Sequence, residues 1–188
     1  MKPALVALAL LTAPAARADY LPDIQTCLNA HVGRYEWLLD IHAGTPAEDV
    51  PGGLWHMGNM GYCGTLGIVR CDRSDDPVAC QIELAQTQDA IAAVVKRDLP
   101  DPEAVGGTDW PVRLYAAVHA LAHGVSAGPD CADQPDLINA WCEANAANGR
   151  LRMSVMAWEV ARYLGAAPGA IEAGWAGPAP VLRPRVRP

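Results

Sequence analysis

The sequence predicts an all-α fold: a single compact bundle of about five helices, stapled by disulfides. Three observations predict it. Apolar residues recur at helical spacing in successive segments between Leu21 and Leu164. Six cysteines, an even number, stand in a chain of 188 residues. The one β-like run, Thr65-Leu66-Gly67-Ile68-Val69, has no second run to pair with.

The chain opens with a leader. Lys2 gives a positive start, Ala4 to Leu11 an apolar core, and Ala16-Arg17-Ala18 an A-x-A cleavage site. The apolar run falls short of the ~20 residues a spanning helix needs, so residues 1–18 read as a secretory signal rather than a retained anchor. Residues 19–176 are then one helical domain, and residues 177–188, GPAPVLRPRVRP, a flexible or extended Pro/Arg-rich tail. Cleavage removes Lys2 and Arg17 from the 14 basic residues, so that 12 face 21 acidic ones and the net charge is −9. Such a balance repels nucleic acid and anionic membrane and favours cationic partners. No later stretch is apolar enough for stable membrane insertion. The expected location is the periplasm or the extracellular space.

The first helix starts at Leu21-Pro22-Asp23 and runs to about His42. Its stripe is Ile24, Cys27, Leu28, Tyr35, Leu38 and Leu39, with His31 and His42 in register, and Gly44-Thr45-Pro46 stops it. Gly52 to Cys71 follows, with glycines at 58, 61, 64 and 67. It reads either as a short helix with a glycine ridge for a close neighbour or as an irregular loop, because each interior glycine costs a helix about 1 kcal/mol relative to alanine.

Asp76-Pro77 is a cap followed by proline at the first helical position, and opens a helix to about Leu99. Cys80, Leu84, Ile91 and Val94 or Val95 are its expected buried face, with Gln81, Glu83, Gln86, Gln88 and Asp89 outside. Trp110 to His123 is a third helix with Leu114, Val118 and Leu121 inward. A fourth is capped by Asp133 and broken at Asn148-Gly149. The fifth, Arg150 to Leu164, is apolar nearly all round and is therefore the central one.

An oxidising compartment makes three disulfides the default use of Cys27, Cys63, Cys71, Cys80, Cys131 and Cys142. Of 15 connectivities, the short spacings favour Cys71 with Cys80 and Cys131 with Cys142, which leaves Cys27 with Cys63. No Cys-x-x-Cys is present, so no thioredoxin-type centre or zinc knuckle is indicated.

Candidate chemistry is sparse. Tyr115, His119 and His123 share one helix face, and two imidazoles one turn apart suit zinc or copper. The zinc-peptidase motif is excluded, because Ala120 stands where its glutamate belongs. His56, with Met57 and Met60, offers further donors, and Met153 and Met156 more sulfur for Cu(I); methionines are also ordinary core fillers. Glu36 and Asp40 are a carboxylate pair of the kind a glycan hydrolase uses, and six tryptophans suit either a sugar groove or a core without phenylalanine. No serine elbow, phosphate loop or dinucleotide fingerprint occurs. The leading expectation is a non-enzymatic binding module for a cationic protein. The alternative is a metal-binding protein or metallohydrolase on His119, His123 and His56.

Overall fold

The computed structural model describes residues 21–52, 58–124, 131 and 133–181. Residues 1–18, read above as a leader, His56 and the arginines at 183, 185 and 187 lie outside them. Among the described residues all regular structure is helical: α1 (Ile24–Ile41), α2 (Gly58–Cys71), α3 (Pro77–Arg97), α4 (Pro102–Val105), α5 (Trp110–Gly124) and α6 (Asp136–Tyr163). No helix among them is long and apolar enough to cross a membrane.

Local chemistry starts the helices where expected. Asp23 caps α1 by accepting the Thr26 amide at 2.7 Å, and Asp76 caps α3 by accepting that of Ala79 at 3.1 Å, with Pro77 at the first position. Asp133 does not cap α6; the helix starts after Pro135, with no side chain closing its first turn. At its far end, Gly165 takes a positive φ of 68°, the Gly165 amide bonds the Arg162 carbonyl, and Ala166 bonds that of Ala161. That two-bond closure satisfies carbonyls the helix itself leaves open.

The largest difference from expectation is α6, where two helices were expected and one of 28 residues is found. Asn148-Gly149 does not break it. Ala144, Ala147 and Leu151 are wholly buried on either side, the Asn148 amide donates to the Gly61 carbonyl at 3.1 Å, and Arg150 grips Asp89 through two hydrogen bonds of 2.6 and 2.7 Å. Tertiary contact of that extent outweighs the ~1 kcal/mol that a glycine costs.

The second half of α6 is the centre of the molecule: Leu151, Ser154, Val155, Ala157, Trp158, Val160 and Ala161 are buried around its circumference. Helices α1, α2, α3 and α5 pack around it. The face of α3 turned inward is Gln81, Leu84, Ala85, Gln88, Ala92 and Val95, so Gln81 and Gln88 are in the core, not on the outer face. Their amide groups reach Asp72 and the Ala144 carbonyl. On α5 the buried residues are Pro111, Tyr115, Val118 and Ala122, while Leu121 is exposed.

The glycine segment is helical from Gly58, including the β-like run, and its glycines form the ridge. A methyl group at Gly61 would meet the Arg152 side chain, at Gly64 that of Asn148, and at Gly67 that of Leu84 at 2.9 Å. Hence α2 lies close against α6 and α3, with the side chains of Arg152, Asn148 and Leu84 filling the space a Cβ on α2 would need. The bridges are Cys27–Cys63, joining α1 to α2, Cys71–Cys80, joining α2 to α3, and Cys131–Cys142, pinning the residue ahead of α6 to its second turn. Of the tail, Gly177 donates its amide to Asn29 at 2.8 Å and Ala179 closes over Gly33, so residues 177–179 lie against α1.

Candidate functional site

Three places bring chemically capable side chains together. The first is α5. His119 and His123 lie one turn apart with ring centroids 4.2 Å apart and planes inclined by 33°, and Tyr115 meets His119 edge-on at 5.7 Å. His123 Nδ1 sits 3.0 Å from the His119 carbonyl, which leaves Nε2 as its outward donor. Burial lowers the His119 pKa, the neighbouring His123 lowers it further, and Asp101 opposes both. Neutral imidazole is the form a metal takes. No set of three or more His, Cys, Asp or Glu placed to hold a metal occurs among the described residues. Met60 is in the core, and Met153 and Met156 pack against it.

The second place joins α1 to α6. His31 Nε2 and Glu159 Oε1 are 2.5 Å apart, with side chains 9% and 3% exposed. Tyr35 donates its hydroxyl to the Glu159 carbonyl. Burial raises the Glu159 pKa, and the hydrogen bond from His31 holds it back. One turn on, Arg162 clasps both oxygens of Glu36 at 3.0 and 2.6 Å. This pairing removes Glu36 from any partnership with Asp40 of the glycosidase kind: a carboxylate held by two guanidinium bonds is a poor nucleophile or base. Sequence reasoning passed over Glu159. Its signal was a single acid inside the apolar run Met156 to Ala161, with His31 in the stripe of α1.

The third place is an open cleft of about 900 Å³, lined by Pro46, Ala47, Glu48 and Val50 after α1, Asp109 to Val112 at the start of α5, and Tyr163 and Leu164 at the end of α6. The Tyr163 hydroxyl donates to the Thr45 carbonyl at 3.2 Å and the Asp49 amide bonds that of Pro46 at 2.9 Å, which sets the 46–50 turn against α6. Just beyond the opposite wall, Arg113 donates its guanidinium to the Thr108 carbonyl and its amide to that of Asp109, fixing the approach to α5. Two carboxylates, Glu48 and Asp109, line the cleft, and none of its described lining residues is basic; the nearest guanidinium in sequence, that of Arg113, is held on the Thr108 carbonyl. Burial raises the Tyr163 pKa and the Glu48 charge raises it further. The sequence showed these acids only as members of a charge excess, since Glu48 and Asp109 are 61 positions apart and nothing local links them.

Of the other tryptophans, Trp158 and Trp175 are core residues stacked edge to face at 4.7 Å, whereas Trp37, Trp110 and Trp141 are exposed. Of the two uses considered for the tryptophans, the core one therefore holds for Trp158 and Trp175 and not for these three. No family model matches the chain, and comparison with curated proteins and with solved structures returns no match.

Proposed function

We propose that this is an exported, non-enzymatic binding module for a cationic protein in the periplasm or outside the cell, such as a wall-degrading enzyme. The observation that carries the reading is the cleft, with two carboxylates and no basic group among its described lining residues. The rest is supporting: three disulfides are the chemistry of an oxidising compartment, the composition is acidic, and the best carboxylate of the catalytic alternative is locked to Arg162. Attraction of this kind is screened over a Debye length of about 10 Å at 0.1 M salt. Binding to a basic protein is expected at low ionic strength and is expected to weaken steeply with added salt; a protein that ignores basic proteins at low salt does not have this function.

A second reading, a metal held by His119 and His123 and completed by His56 or by a partner, is supported by the one-turn spacing and the outward Nε2 of His123. Zinc or copper retained by the purified wild type and absent from H119A/H123A carries that reading. Equal metal content in both ends it.

A further inference from the structure

We infer that the cleft between the 46–50 turn, the start of α5 and the end of α6 is the socket for one arginine side chain of the cationic partner. This deepens the binding reading above and rests on it. The walls divide by chemistry. Pro46, Pro111, Val112 and Leu164 supply apolar surface along which a trimethylene stem can lie. Glu48 and Asp109 supply charge from opposite walls, one on the turn after α1 and one ahead of α5. Trp110, 48% exposed, lines the same space beside Asp109.

A planar, weakly hydrated guanidinium uses all three features: it stacks on an indole face, pairs with carboxylates through its fork of donors, and buries its stem. A lysine ammonium is a compact, strongly hydrated charge with no plane to stack. The volume, about 900 Å³, exceeds that of one side chain and also admits the backbone on either side of it. The cleft is built from three segments that are distant in sequence and locked by the Tyr163–Thr45 bond, so it is formed before a partner arrives, and a preformed socket loses less ordering entropy on binding.

The test uses lysozyme as the basic protein, with the full oxidised chain at low ionic strength, and reads Kd. E48Q/D109N is compared with E83Q/E143Q, which removes the same charge from exposed acids that do not line the cleft; circular dichroism confirms that both remain folded. The cleft variant is expected to bind about 10-fold more weakly or worse, W110A about 3-fold, and the control within about 2-fold of wild type. Arginine methyl ester is expected to compete better than lysine methyl ester. Equal weakening by the two double variants overturns the socket while leaving a diffuse attraction to cationic proteins intact. Displacement by tetramethylammonium as efficient as by the arginine ester assigns the cleft to small quaternary ammonium ligands and also overturns it. A wild type that does not bind lysozyme overturns the binding reading itself.

Discussion

Glu159 is an ionisable group at the centre of the molecule, and His31 is what makes its burial tolerable. Removing one partner of a buried pair leaves the other uncompensated and costs about 3–5 kcal/mol. H31A is therefore expected to lose stability on that scale, and E159Q, which keeps the shape and a hydrogen bond, much less; urea midpoints measure both. The sign of the pH effect follows from the direction of the shift. Burial raises the Glu159 pKa above its ordinary value of 4.5, so the folded state holds this proton more tightly than the unfolded one. The associated stability is fully present below pH 4.5 and declines as pH rises through the folded value. Wild type should thus lose stability relative to E159Q between acid and neutral pH. The reverse trend would show that the ion pair outweighs the burial. His31 was visible in the sequence as a polar residue in an apolar stripe, but its partner lies 128 positions away, and no local pattern encodes that meeting.

At the scale of elements, the glycine ridge of α2 and the glycine inside α6 make opposite predictions. Gly64 is packed under the Asn148 side chain, so G64A forces α2 and α6 apart and is expected to cost about 1–3 kcal/mol. Gly149 lies inside α6 with open space where a methyl would go, so G149A is expected to stabilise by about 0.5–1 kcal/mol. Thermal melts of the two variants should move in opposite directions. Two helices with side-chain caps, α1 and α3, were legible to within two residues because Asp23 and Asp76-Pro77 act locally; the short α4, capped by Asp101, was not. The unity of α6 was not, since Asn148-Gly149 is a local stop signal overruled by packing against Gly61 and Asp89. The inward face of α3 was misjudged for a related reason: Gln81 and Gln88 look polar in sequence, and only the partners waiting at Asp72 and the Ala144 carbonyl make them core residues.

Across the whole molecule, the three bridges differ in how much of the unfolded chain they restrain. Cys27–Cys63 spans 36 positions and Cys71–Cys80 only 9. Loop-closure entropy makes the longer one worth about 1 kcal/mol more, so C27S/C63S should lower the denaturation midpoint further than C71S/C80S. The pairing itself was accessible from spacing and elimination. The cleft was not, because it exists only once the end of α1, the start of α5 and the end of α6 have met.

The bridges also fix how the chain responds to being cut. Each is short in sequence and none reaches across the α3–α5 connection, residues 98–109. A protease nick in the segment after α1, or in the turn between α2 and α3, leaves both pieces tethered by sulfur, and a non-reducing gel would still show one full-length band. A nick between Asp98 and Asp109 frees two halves that only the packing of α1, α2 and α3 against α6 and the residues after it can keep together. Protease damage is thus covalently invisible in those two segments and immediately divisive between Asp98 and Asp109.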